Sequence, residues 1–527
     1  MSFDTILHHA RIVDGSGAPA FGGDVGLRGS TIAAVGDLSA AEAETHIDAA
    51  GRYLTPGFID IHRHADVALL RPGFGKAELA QGLTTLINGN CGLSAAPVAG
   101  AHSDEQAAYL APILGDLPDR LRFASLGEYL AAAKQANPPL NQAMLIGMGT
   151  LRSCVAGFAD GDLEGDALRA LHRLLERALA DGAVGVSLGL GYAPDCFYST
   201  EGLLRALAPL RGSGVPLTVH MRQEGDGVVD ALREMLYVGR ALNTPLEISH
   251  LKAIGRRNWR RAVPEMLRLI ARARADGQDV LCDAYPYTAG CTQLIHVLPP
   301  EFQRGGAAAL TEALRDNAAR RRMRERMESG SDFENITLLV GFENVYACSL
   351  RRSENLAFEG LSIAEIAART GKDPFDALFD LLAAEDCAPA MIDSIVCEED
   401  LEEILCAPFS GAASDATYPA AGLPHPRVYG AFARLLETYV RKKKLLSLEA
   451  AVHKVTLQPA ERLRLRKNGR IAVGMDADLC LFDLRNVHEA GTFADPAQPA
   501  RGMDAVFVGG VLRHGGDNAC FPAAKQV

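Results

Sequence analysis

Apolar and polar positions change their period along the chain. Through residues 1–56, short alternating runs broken by glycine and aspartate turns (TILHHARIVDG, DVGLRGSTIAAVG, HIDAAGRYLTPG) predict strands. Residues 463–527 return to that style in GRIAVGMDADLCLFD and AVFVGGVLRHGG, so the two ends are expected to meet in one small β domain. Between them, over 57–462, continuous apolar runs alternate with helical stretches: GFIDIH (57–62), LTTLING (83–89), AMLIGMG (143–149), AVGVSLG (183–189), PLTVHMR (216–222), PLEISHLK (245–252), DVLCDAYPY (279–287) and SGAASDATY (410–418). The stretch after the third run, GDALRALHRLLERALADG, has helical spacing. Eight such units predict an α/β fold, a (β/α)8 TIM barrel. The seventh and eighth runs are far apart, and 293–350, with the charged helix TEALRDNAARRRMRERMES, reads as an insertion over the barrel mouth.

Barrel chemistry sits at the C-terminal ends of the strands. There the first run carries His62 and His64, the second runs into NGNCG with Cys91, the fifth ends at His220, the sixth at His250 and the eighth at Asp415. Residues i and i+2 of a strand share a face, so His62 and His64 project together. A lone HxH is more often two polar residues where a strand surfaces. Six residues of metal-ligand type at one end of five strands are hard to explain by packing and point to a metal-dependent barrel.

Composition narrows the partners. A 527-residue chain with 48% hydrophobic and 22% charged residues is ordinary globular material, large enough for more than one domain. The formal charge of −12 argues against nucleic-acid and anionic-membrane surfaces and leaves a small-molecule substrate. No apolar run approaches ~20 residues, so no transmembrane helix is expected. The start, MSFDTILHHARIVDG, lacks the features of a signal peptide. Eleven scattered cysteines, an odd number, suit reduced thiols and a cytoplasmic protein. Nothing in the sequence speaks to oligomeric state.

The motifs PGFIDIHRHAD, GLTTLINGNCGLSAAPV, TVHMRQEGDGVVDAL, EISHLKAIG, DAYPYTAG, SDATY, HPRVYGAF and GRIAVGMDADLCLFD together resemble the D-aminoacylase (N-acyl-D-amino-acid deacylase) branch of the amidohydrolase superfamily. The resemblance covers nearly the whole chain except its last dozen or so residues. It implies a zinc-dependent hydrolase that removes the N-acyl group from an N-acyl-D-amino acid. Cys91, His220 and His250 would hold one tightly bound zinc, and His62 and His64 a weaker second site sharing Cys91. Asp415 would be the general base, close enough to touch a metal. Lys252, Tyr285 and Arg427 would bind the substrate carboxylate, to which a guanidinium fork and an ammonium are suited.

Two-metal relatives in the superfamily commonly bridge their ions with a carbamylated lysine after strand four. This chain has no lysine between Lys134 and Lys252, and strand four ends in SLGLGY, which leaves Cys91 as the bridging anion. A cyclic amidase of the dihydropyrimidinase kind is the first alternative, weakened by that missing lysine. A non-catalytic scaffold is the second, weakened by the complete ligand set. Arg63, Ala65 and Asp195 depart from the family pattern and are expected at the mouth. The loop TAGCTQLIHVLPPEF, with Gln293, Leu294, Ile295 and Val297 and no basic residue before Arg304, predicts a preference for neutral, apolar side chains, His296 being the exception.

Overall fold

In a computed structural model the described residues are 2–515; the remainder of the predicted C-terminal β segment lies outside them. All eight apolar runs become parallel strands of one sheet: Phe58–Asp60, Leu83–Asn88, Asn141–Gly147, Gly185–Gly189, Leu217–His220, Leu246–Ile248, Val280–Ala284 and Ser410–Ala412, neighbours in that order. The sheet closes on itself just beyond the first and last strands. The Asp415 amide donates to the His62 carbonyl at 2.8 Å, and the His64 amide to the Ala416 carbonyl at 2.9 Å.

The strands read as unbroken apolar runs because both faces are covered. Leu83–Asn88, for example, is buried at every position. The helix Gly165–Asp181 turns Leu171, Leu175 and Ala178 inward, four and three residues apart, and stops at Gly182 in the left-handed region.

The chain ends build a second sheet. Its order is Val511–Gly515, Met503–Val508, Leu479–Phe482, Tyr53–Pro56, Phe3–Ile12, Phe21–Arg28 and Thr31–Gly36, with Ala43–Asp48 also paired to Phe3–Ile12. The two ends join where Leu479–Phe482 runs antiparallel to Tyr53–Pro56. This sheet has its own apolar core, which includes Leu7, Ile12, Leu54, Leu479 and Phe507.

Between the seventh and eighth barrel strands the chain leaves the barrel. It forms a three-stranded antiparallel sheet from Ala289–Gln293, Ala390–Ser394 and Val345–Cys348, and the helices Gly306–Arg315 and Asn317–Ser329. This sheet roofs the C-terminal end of the barrel. Among the described residues no helix is long and apolar enough to cross a membrane.

Candidate metal centre

The six side chains proposed as ligands converge at the C-terminal mouth, all buried. Cys91 lies between two imidazoles, its Sγ 3.2 Å from His62 Nε2 and 3.4 Å from His250 Nε2. His250 Nε2 is in turn 3.1 Å from His220 Nδ1. On the other side, Asp415 Oδ1 is 3.4 Å from His62 Nε2 and 3.3 Å from His64 Nε2. Two groups of potential ligands therefore meet in one chain of contacts, His220–His250–Cys91 and His62–His64–Asp415, linked by the thiol.

Backbone conformation aims these groups. Cys91, His250 and Asp415 have φ values of +53°, +37° and +52°, a region non-glycine residues seldom occupy. Each sits where a strand breaks into a loop, and such strain persists only where the surroundings enforce it, most often at functional sites. The bare end of strand four has a related cause. A Cβ on Gly189 would come within 2.1 Å of the Cys91 carbonyl, and one on Gly191 within 2.6 Å of His220 Nε2. The glycines of SLGLGY make room for the cysteine loop and the His220 ring.

The donor set fits a metal. Around a tetrahedral zinc with bonds of ~2.0–2.3 Å, neighbouring ligand atoms stand ~3.3–3.6 Å apart, close to the separations found here. Burial holds His62, His220 and His250 well below the ordinary imidazole range, so they are in the neutral form that coordinates. Burial pushes the Cys91 thiol well up, with Asp415 and Glu224 adding to the effect; a cation at this position reverses that balance. Burial works to raise Asp415 also, but Arg427, His62 and His64 overcome it and hold the carboxyl well below its usual range. His62 Nδ1 and His64 Nδ1 are buried without a hydrogen-bond partner.

Lys252, Tyr285 and Arg427 come together beside the ligands. The Tyr285 ring lies 4.9 Å from the Arg427 guanidinium carbon and 5.9 Å from Lys252 Nζ. Arg427 reaches Asp415 Oδ2 at 2.9 Å and donates to the Cys291 carbonyl at 3.0 Å. His425 braces it: Nδ1 accepts from the Arg427 amide at 3.0 Å, leaving Nε2–H to donate to the Ala289 carbonyl at 3.0 Å. Both cations are already paired within the protein.

Lys252 owes its pairing to Glu224, which lies in the loop after the fifth strand rather than at a strand end. Both Glu224 oxygens accept from Lys252 Nζ at 2.7 Å, and Oε1 stands 3.0 Å from His250 Nδ1. Glu224 thus touches a proposed ligand and a proposed substrate group at once. Asp283 supports the floor, accepting from the His250 amide at 2.8 Å and lying 3.9 Å from His62 Nδ1. The sequence signal for Asp283 is an acid inside an apolar strand; Glu224, in a loop, has none.

Arg63, Ala65 and Asp195 follow the C-terminal ends of strands one and four, as expected, but are at most 1% exposed. Arg63 alternates with the two histidines and so points away from them, donating to Asp60 at 3.0 Å and Glu78 at 2.8 Å. Asp195 accepts from the Gly189 amide at 3.1 Å and so holds the end of strand four. The apolar wall expected from 293–297 is absent: of TAGCTQLIHVLPPEF, the cleft meets Gly290, Cys291, Thr292 and His296, whereas Leu294, Ile295 and Val297 pack into the core. Glu334, Asp393 and the isoleucines 254, 336 and 395 complete that side.

Comparison with known proteins agrees with this geometry. Residues 45–514 match the amidohydrolase family profile. The chain is 35% identical to a D-aminoacylase of Alcaligenes xylosoxydans xylosoxydans over 509 residues, covering 96% of this chain and 94% of that one. It is also 35% identical to an N-acyl-D-glutamate deacylase of the same organism, covering 96% and 93%. The crystal structure of an N-acyl-D-glutamate deacylase from Bordetella bronchiseptica, complexed with zinc and a phosphonate that mimics the tetrahedral intermediate, superposes with a TM-score of 0.83 at 31% identity, covering 97% and 96%. Fold, convergent ligands and full-length similarity agree: this chain belongs to the amidohydrolase family, within its D-aminoacylase group.

Proposed function

We propose that the protein is a zinc-dependent amide hydrolase that deacylates N-acyl-D-amino acids, giving a D-amino acid and a carboxylate. The observation that carries this is the buried Cys91 thiol between His62 and His250, with Asp415 and the Lys252–Tyr285–Arg427 cluster beside them. Cys91, His220 and His250 would hold one zinc tightly. His62 and His64, sharing Cys91 and backed by Asp415, would hold a second more weakly. Zinc at this place supplies Lewis acidity, polarising an amide carbonyl and making water nucleophilic at neutral pH.

The chain's own groups do the rest. Asp415, kept ionised, accepts the proton of the attacking water and returns it to the departing amine. Arg427, fixed by His425 and the Cys291 carbonyl, orients that carboxylate. Lys252, presented by Glu224, would receive the substrate α-carboxylate together with Tyr285 and Arg427, and with it set the handedness accepted. The acids Glu334 and Asp393 in the cleft support exclusion of acidic side chains. All ten cysteines among the described residues are free thiols, which supports a reducing, cytoplasmic setting.

The test is hydrolysis by zinc-loaded protein of N-acetyl-D-methionine and its L-enantiomer, read as acetate released, and of dihydrouracil, read as ring opening to N-carbamoyl-β-alanine, the last of which serves the cyclic-amidase alternative. Turnover of the D-amide alone is expected. Turnover of the L-amide or the cyclic amide instead, or of none, overturns the reading.

A further inference from the structure

One carboxylate in the cleft has no partner. Asp393, on the roof strand Ala390–Ser394, is only 2% exposed and lines the cleft, yet no described residue donates to its side chain. Its neighbours are all engaged. Glu224 holds Lys252. Glu334 accepts from the Glu224 amide at 2.5 Å and stands 3.2 Å from His296. Asp415 holds Arg427.

Register explains how Asp393 reaches the cleft. It pairs directly with Gly290, so the two residues share the sheet face turned to the barrel. A Cβ at Gly290 would lie 2.7 Å from Asp393 Oδ1; the glycine leaves that path open. Four carboxylates, Glu224, Glu334, Asp393 and Asp415, line this cleft against one ammonium, Lys252. An ionised carboxylate taken from water without a partner is costly, and burial accordingly pushes Asp393 up to about 7. A cation brought by a ligand removes that cost. Ile254, Ile336 and Ile395 in the same wall suit an aliphatic stem leading to it.

We infer that Asp393 is the recognition group of a side-chain subsite for a cationic substrate, an N-acyl-D-amino acid ending in an amine or guanidinium, such as N-acyl-D-lysine or N-acyl-D-arginine. This rests on the deacylase reading and narrows it. His296 and Glu334 form the far wall of the subsite, and their contact leaves Asp393 free to meet the ligand.

The experiment compares kcat/KM of the zinc-loaded protein for N-acetyl-D-lysine, N-acetyl-D-norleucine, which has the same stem without the ammonium, and N-acetyl-D-glutamine. Lysine should exceed norleucine by ~10–100-fold, mostly through KM, because a polar site rejects an analogue that leaves its group unpaired. Asp393→Asn and the smaller Asp393→Ser should bring that ratio close to one, with zinc content reporting that each variant is folded. A wild-type ratio at or below one, a preference for glutamine over lysine, or a ratio that survives both substitutions overturns the subsite. If norleucine is hydrolysed and lysine is not, the subsite falls while the deacylase reading stands. If no N-acetyl-D-amino acid is hydrolysed, both fall.

Discussion

Replacing Glu224 by glutamine tests whether the proposed metal centre and the proposed substrate-carboxylate clamp share a support. Glutamine keeps the shape but offers one acceptor where glutamate offers two, and both oxygens are in use at 2.7 Å to Lys252. One charge-assisted bond is lost, at ~1.5–3 kcal/mol, and an amide NH₂ is turned toward an ammonium. Full removal of a partner from a buried pair costs ~3–5 kcal/mol; the retained oxygen places this variant below that, at ~2–3 kcal/mol. His250 loses the negative charge behind its Nδ1, 3.0 Å away. Loss of such an outer partner commonly weakens metal binding ~10–100-fold. Chelator competition should therefore report a zinc Kd raised by that factor, and KM should rise as Lys252 loses its aim. A cycle with Lys252→Met should give a coupling of ~1 kcal/mol or more. Zinc affinity and KM both unchanged in Glu224→Gln would refute the shared support.

Cys91→Ala should lose most of the tightly bound zinc and His62→Ala little; metal analysis that finds full zinc in Cys91→Ala removes the bridging role of the thiol. Asp415→Asn cannot accept a proton, so turnover should fall ~10²–10⁴-fold with the tight zinc retained, and a variant with near-normal turnover excludes Asp415 as the base. Arg63→Met should destabilise the protein by ~3–5 kcal/mol in urea unfolding, because it strands the buried carboxylates of Asp60 and Glu78; a variant of parental stability would show that the barrel tolerates them unpaired. Glu437 is held at about 2, against an ordinary 4.5: burial works to raise it, but the Glu489 amide, Lys442 and His488 prevail. Its contribution is complete above pH 4.5 and disappears as pH falls toward 2, so the stability gap between wild type and Glu437→Gln should close through that window. A gap constant from pH 7 to 3 would contradict this.

The barrel was legible because strands covered on both faces carry unbroken apolar runs, and the proposed ligands because each ends such a run. Three kinds of residue were not legible. Glu224 lies in the loop after His220, where no period fixes direction and an acid looks solvated. Asp393 belongs to a roof strand whose partner, Gly290, is distant in sequence, and pairing across such a gap leaves no local trace. Arg63 was legible only as a departure from the family pattern, and pattern alone does not show that alternation sends it behind the histidines onto Glu78. The apolar wall failed for a similar reason: hydrophobic loop residues mark what packs against the core, not what faces a ligand.

The seam of the barrel sets an order in time. His62 and Cys91, which meet at 3.2 Å, are 29 residues apart in the chain and leave the ribosome almost together. Asp415, which meets the same imidazole across the seam, arrives only when the eighth strand has been made. A growing chain thus owns the sulfur and nitrogen donors long before it owns the group proposed to move the proton. On that proposal hydrolytic competence is among the last properties such a chain acquires, and a metal captured early finds no Asp415 beside it until the barrel has closed.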